Sequence, residues 1–386
     1  MAGCSSQKRP GMTNQHKLLF VLPSLGGGGA ERATVDLLRG MNRQQFKVTV
    51  ALFEQNGSFL PQLPDDVQVF NLQGASRHDF RLVWRLARLL HSESPNIVFS
   101  VLRYANLVTL LAHRLANSQA RVIVNEQNLP SAEFALFGGT QVKGWFLRRL
   151  YPWADLVTTI SQGIARELTL HYGVSKHKVR VIPNPVDVSR IRAMGLVKPE
   201  HPWFQLGLPV LVSAGRLHPQ KGFAYLIRAF AIVRHALACK LIILGEGPQR
   251  RDLELLIAKL GLSNDVALPG FQDNPYNYMY NSTVFVLSSV YEGFGNVLVE
   301  ALALGVPVIS TRCPVGPEEI ITDGLTGVLV PPADEYALAQ AILRVLKDGE
   351  LRYKLSANGP DRAADFAIES IVSQYESVFG HLVSGA

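Results

Sequence analysis

Two carboxylates eight positions apart frame a glycine-rich segment: Glu292 and Glu300 in YEGFGNVLVE, residues 291–300. An apolar run, TVFVL at 283–287, precedes the segment, and apolar residues continue to Leu304. This pattern predicts a strand, a tight loop and a helix. Gly293 and Gly295 would open that helix and leave backbone N–H groups, those of Asn296 and Val297 among them, aimed at an anion. Eight residues of helix cover about 12 Å, so the two carboxylates are not expected to act as one acid–base pair on a single bond. They can bracket a nucleotide sugar instead, one at the sugar hydroxyls and one at the ribose. A plain surface position is the alternative for Glu300, and its apolar neighbours Val299 and Ala301 speak against it.

A second cluster is cationic. In SAGRLHPQKGF, residues 213–223, Arg216 and Lys221 stand five apart where an apolar run ends. Arg offers a planar fork to phosphate oxygens and Lys a mobile point charge, so the pair suits a pyrophosphate and the charge building on it as it leaves. Gly215 and Gly222 make the loop tight, which disfavours two merely solvated charges. LGEGP at 244–248, with Gly247, and the stretch 270–272, with Phe271, sit at further strand ends where a base could lie, or where the chain simply turns. The loop SLGGGGAER at 24–32 joins the first predicted strand to the first helix. Its glycines allow close approach of a ligand, but the dinucleotide fingerprint G-x-G-x-x-G fails, because Glu31 or Arg32 falls at the third glycine position. Glu54 imitates the ribose-binding acid of that fingerprint, which keeps a nicotinamide reading open.

These segments together resemble the family 4 glycosyltransferases. Glu292 and Glu300 match the family's E-x7-E motif. GGAER at 28–32, IPNPVD at 182–187, GR at 215–216, KG at 221–222 and GEG at 245–247 follow in the family's order. The resemblance covers nearly the whole chain. It implies the GT-B architecture, a nucleotide diphosphate sugar as donor, usually a UDP-sugar, transfer with retention of configuration, and no metal or other cofactor. Carried over position by position, Arg216 and Lys221 would hold the diphosphate and Glu292 the donor sugar. Asn296 and Val297 would give backbone donors to phosphate, and Glu300 would bind the ribose. Gly28 and Gly29 would face the diphosphate or sugar from the other domain. One departure stands out. Many relatives carry Glu-His-Asn where this chain has Glu126-Gln127-Asn128, and an amide cannot titrate near neutrality as His does. Glu126 and Gln127 are therefore candidates for the acceptor side without an assigned role.

The elements that must position these residues alternate regularly. Strand-like runs at 16–22, 46–52, 96–100, 121–124 and 155–159 are separated by helical stretches, the first at 30–41. The two prolines of IPNPVD interrupt the pattern and read as a link. Alternation restarts at 209–214 and continues through 240–244, 266–268, 283–287, 306–309 and 327–330. Three helical stretches from about 335 to 383 end the chain. The expected fold class is α/β, two Rossmann-like doubly wound domains facing across a cleft. Residues 1–190 would form the acceptor-side domain, onto which a last helix of about 370–386 folds back, and 191–369 the nucleotide-sugar domain.

At 386 residues the chain suits two ordinary domains. Its charge is uneven: residues 1–200 carry 24 Lys and Arg against 13 Asp and Glu, and the remainder 14 against 18. A basic first half points to an anionic partner. FRLVWRLAR at 80–88, with Arg81, Arg85 and Arg88 at helical spacing, and KGWFLRRLYPW at 143–153 combine rings with cations. Such segments suit an anionic membrane surface, or join the core of a packed helix; no motif for nucleic acid accompanies them. The longest apolar runs fall well short of the roughly 20 residues of a membrane span. The polar first 15 residues lack a secretory h-region, and Cys4, Cys239 and Cys313 form no disulfide framework. The expected location is the cytoplasm, peripheral on the inner face of the membrane. The expected partners are a nucleotide-sugar donor and a glycan or lipid-linked acceptor, in polysaccharide or glycolipid synthesis. A catalytically silent nucleotide-sugar binder or scaffold, and an NAD(P)-dependent oxidoreductase, are the alternatives.

Overall fold

The computed structural model describes residues 15–26, 28–74, 79–137 and 140–384. The polar tail with Cys4, and Gly27 of the glycine loop, lie outside the described residues. The first seven strands are β1 (His16–Leu22), β2 (Phe46–Leu52), β3 (Gln68–Asn71), β4 (Ile97–Val101), β5 (Arg121–Glu126), β6 (Leu156–Thr159) and β7 (Val179–Val181). They form one sheet in the order β3-β2-β1-β4-β5-β6-β7. Six more, β8 (Val210–Ala214), β9 (Lys240–Leu244), β10 (Val266–Gly270), β11 (Val284–Leu287), β12 (Val308–Thr311) and β13 (Val328–Val330), form a second in the order β10-β9-β8-β11-β12-β13.

Both sheets run outward in two directions from a first strand, and the pairings of β1 with β2 and β4, and of β8 with β9 and β11, are parallel. These are two doubly wound α/β domains, the pair that the family resemblance implies. The strands read as unbroken apolar runs because helices cover both faces of each sheet: Leu18 to Leu22 are all buried, as are Leu241 to Leu244. In such sheets ligands bind beyond the carboxyl ends of the strands, where the strand order reverses. Those points lie between β1 and β4 and between β8 and β11.

The chain separates into two compact units. One comprises the residues up to Asn125, Leu150–Val157 and the chain from Tyr375; the other comprises Glu126–Arg149 and Thr158–Gln374. These units do not follow the division at residue 190: Glu126–Arg149 and 158–190 fall in the second unit, although β7 belongs to the first sheet. Glu319 accepts hydrogen bonds from the amides of Gln162 and Gly163 at 2.7 and 3.1 Å. The Val186 amide donates to Phe366 O at 2.9 Å. In the first unit, Phe379 of the helix Ile368–Ser384 lies 6.0 Å from Phe46 and 5.7 Å from Phe99, ring centre to ring centre. Glu376 accepts the amide of Asn42 at 2.6 Å.

Candidate active site

Three loops at the carboxyl ends of β8, β9 and β10 are stitched together. The Gly245 amide donates to Gly270 O at 2.8 Å, and the Leu217 amide to Glu246 O at 2.9 Å. Gly245 has φ +128°, and a Cβ there would meet Gly215 O at 2.1 Å. One at Gly247 would meet Leu217 O at 2.4 Å. Any side chain at either position would push these loops apart. Phe271, directly after β10, is 56% exposed.

The loop after β8 is tied in turn to the loop after β11. The Val290 amide donates to Gln220 O at 2.8 Å, and Ser288 Oγ to Lys221 O at 2.9 Å. Gly222 ends the short turn Pro219–Lys221 with φ +62° and precedes the helix Phe223–Ala236. A Cβ on Gly222 would sit 2.1 Å from Ser288 O. This framework aims two side chains at each other. Lys221 Nζ lies 2.6 Å from Glu292 Oε1, which also accepts the Ser289 hydroxyl at 2.6 Å. Thr311 Oγ1 donates to Ser289 O at 2.5 Å, so the carboxylate's partner is itself held from β12. Glu292 is buried; Arg216 is exposed and makes no ion pair among the described residues.

The local electrostatics follow from this grouping. Burial, then the Glu133 and Glu292 carboxylates, push the Tyr291 phenol up to about 12 against the pull of Arg216. Burial, with Glu292 adding to it, pushes the Cys313 thiol up to about 12. Burial and the neighbouring Arg216 hold His218 below the ordinary imidazole value.

Past Glu292 the chain packs against the Gln127 backbone. A Cβ on Gly293 would fall 2.1 Å from Gln127 O. Gly295, at φ +104°, caps the helix Asn296–Ala303, which carries Val297 in its first turn and the half-buried Glu300 further on. Only the second half of the interval from Glu292 to Glu300 is helical, so helical rise does not set the separation of the two carboxylates. Gln127 Nε2 donates to Asn184 Oδ1 at 3.1 Å, and Asn184 Nδ2 donates to Gln127 Oε1 at 3.0 Å and to Asn296 Oδ1 at 3.2 Å. Glu126 is buried beside them and accepts the Asn128 amide at 3.4 Å.

Glu126, Gln127, Arg216, Lys221, Gly247, Phe271, Glu292, Gly295, Asn296, Val297 and Glu300 thus all belong to the second unit. Gly28 and Gly29 belong to the first, where Gly28 caps the helix Gly29–Gly40 and the Glu31 carboxylate folds over it. Glu54 is exposed and accepts from the Asn56 side chain at 3.1 Å. Sequence reasoning did not single out Asn184, Ser289 or Thr311. Asn184 passed as part of a proline-framed link. The hydroxyl of Ser289, three residues before Glu292, was the available signal for that partner.

Both stretches that combine rings with cations carry exposed rings. In the first unit Phe80 is 85% and Trp84 65% exposed, at the start of the helix Arg81–Glu93 and along it. In the second unit Trp145 and Phe146 of the helix Thr140–Leu150 are exposed. Tyr151 is fully buried, so KGWFLRRLYPW divides between surface and core. Among the described residues no helix is long and apolar enough to cross a membrane.

Comparison with known proteins agrees with the two-sheet fold. The family described as "Glycosyltransferase Family 4" matches residues 27–190, and "Glycosyl transferases group 1" matches 201–362. The chain is 31% identical to an N-acetylgalactosamine-N,N'-diacetylbacillosaminyl-diphospho-undecaprenol 4-alpha-N-acetylgalactosaminyltransferase of Campylobacter jejuni, over 91% of this chain and 95% of that one. It is 27% identical to the lipopolysaccharide core biosynthesis glycosyltransferase LpsD of Rhizobium meliloti, over 91% and 95% of the two chains. Anabaena HepE, solved in complex with UDP, superposes with a TM-score of 0.78 at 24% identity, over 94% of this chain and 99% of that one. The sequence motifs, the two doubly wound sheets and these relatives agree, and the chain belongs to the family 4 glycosyltransferases, enzymes of glycosyl transfer.

Proposed function

We propose that the protein is a retaining hexosyltransferase that moves a sugar from a UDP-sugar to a lipid-linked saccharide, without a metal ion. The observation that carries this reading is the Lys221–Glu292 pair, 2.6 Å apart at the carboxyl ends of β8 and β11 with the helix Asn296–Ala303 opening beside it. In the proposed complex Arg216, Lys221 and the amides of Asn296 and Val297 hold the diphosphate. Together they offset the charge that develops as it leaves. Glu292 contacts the donor sugar, Glu300 the ribose, and Gly247 and Phe271 border the base. The anomeric carbon's bond to the phosphate oxygen breaks while its bond to the acceptor hydroxyl oxygen forms on the same face. The acceptor proton passes to the departing phosphate oxygen. With the charge met by these groups, EDTA is expected to leave turnover unchanged.

Two relatives support the acceptor class by name: one acts on a diphospho-undecaprenol saccharide and one in lipopolysaccharide core synthesis. An acceptor of this kind sits at a membrane, and the exposed Phe80 and Trp84, with Arg81 and Arg88 on the same helix, suit an anionic lipid surface on the cytoplasmic side. The test is UDP release across a panel of UDP-sugars with an undecaprenyl-diphosphate-linked saccharide, and assignment of the product anomer by NMR. Release dependent on acceptor and one UDP-sugar, with the anomer retained, supports the proposal. An inverted product or strict dependence on a divalent ion overturns it.

A further inference from the structure

We infer that Asn184 is a positioning residue of this site: braced by Gln127, it fixes Asn296 at the start of the helix that receives the donor diphosphate. The inference rests on the proposed reading that the amides of Asn296 and Val297 face that diphosphate.

The argument begins with the backbone. Asn184 stands between Pro183 and Pro185. Pro185 biases it toward an extended conformation, and Pro183 locks the preceding φ. The segment is tied at both ends, by the Ile182 amide to Thr159 O and by the Val186 amide to Phe366 O, each at 2.9 Å. The Asp187 side chain then accepts the Arg190 amide at 2.9 Å and caps the next helix, Val188–Gly195. Asn184 therefore projects from a stiff frame.

Its side chain is fully committed. One hydrogen of the amide goes to Gln127 and the other to Asn296, while its oxygen accepts from Gln127. The reciprocal pair with Gln127 sets which way the Asn184 amide faces. That orientation directs its remaining hydrogen to Asn296 Oδ1. A second tie acts on the same loop, where Gly293 packs against the Gln127 carbonyl.

This gives the departure from Glu-His-Asn a physical meaning. A reciprocal pair needs a donor and an acceptor side by side on each partner, as on an amide; the two nitrogens of an imidazole point apart. Gln127 fits the brace where His would not. Its role is geometric, so no ionisation at position 127 enters the pH dependence of turnover.

The test is a double-mutant cycle read by calorimetric titration of UDP into the full chain: wild type, N184A, N296A and the double variant. Each single change is expected to weaken UDP on the order of tenfold, and the double variant no more than the worse single, because Asn184 acts through Asn296. Losses that multiply overturn the inference. Should N184A not melt cooperatively, Q127M takes its place, with weakened UDP at a near-normal melting temperature expected. Unchanged UDP affinity in Q127M overturns the inference. A wild-type chain that binds no UDP overturns the donor assignment itself and this inference with it, whereas UDP binding with multiplying losses overturns the inference alone.

Discussion

Glu292 Oε1 accepts both the Lys221 ammonium and the Ser289 hydroxyl, each at 2.6 Å, so the carboxylate is oriented before any donor arrives. Such preorganisation is what makes a fixed charge effective when charge develops in a transition state. Removing either member of the Lys221–Glu292 pair should reduce turnover by about 10²–10³, or about 2.7–4 kcal/mol of barrier. The two variants should differ in stability. Lys221→Ala strands a buried carboxylate and should lower the melting temperature markedly. Glu292→Gln keeps the shape and should lower it less. Initial rates and melts of both proteins check this, and near-normal rates in both would remove Lys221 and Glu292 from the active site.

Gly293→Ala should be far worse than an average Gly to Ala change. Its new Cβ would fall 2.1 Å from the Gln127 carbonyl oxygen, which is backbone and cannot swing away. The loop carrying Glu292 and leading to Asn296 must shift instead. We expect UDP affinity to fall at least tenfold, while the melting temperature drops by only a few degrees because the sheet is untouched. Unaltered UDP binding in Gly293→Ala would show that this contact does not hold the site.

How much of this was legible beforehand follows from what each feature depends on. Apolar runs such as HKLLFVL and KLIIL fixed the central strands, since a strand buried on both faces needs no alternation. The strands Gln68–Asn71 and Val179–Val181 escaped because they are short edges with polar residues, QVFN and VRV, as sheet edges commonly are. Glu292, Lys221 and Arg216 were legible because loop glycines flank them. Asn184 was not, since its role depends on Gln127, 57 positions away, and on Asn296, 112 positions away. No local pattern encodes such a meeting. The compact units divide away from residue 190 for the same reason: residues 126–149 and 158–190 are assigned by packing that their own periodicity does not reveal.

Phe271 offers a test of where the base lies. An aromatic ring left 56% exposed directly after β10 has an open face on which a flat base can stack. Stacking of a base on such a ring contributes roughly 1–3 kcal/mol by alanine substitution. Phe271→Ala should therefore weaken UDP and UMP by the same factor, on the order of 5- to 150-fold, because the loss sits at the base and not at the phosphates. Lys221→Ala should weaken UDP much more than UMP. Calorimetric titration of both nucleotides into both variants separates the two subsites. A Phe271→Ala protein that binds both as wild type does would move the base elsewhere.

The glycine loop of the first unit carries a pH dependence of its own. Glu31 lies folded over Gly28 at the start of the helix Gly29–Gly40, and burial, partly opposed by a backbone hydrogen bond, raises its carboxyl above the ordinary value. A raised carboxyl binds its proton more tightly in the folded chain than in the unfolded one. Stability at this site therefore falls as pH climbs from the unfolded value through the folded one. The cost is absent below the usual carboxylate range and complete once the folded group has ionised. Glu31→Gln keeps the shape without the charge, so it should raise the melting temperature at pH 7 and change it little near pH 4. Melts of wild type and variant across that interval check the sign. A variant less stable than wild type at pH 7 would mean that the ionised carboxylate is favourably held, by the helix N-terminus or by another partner, and that burial does not dominate its environment.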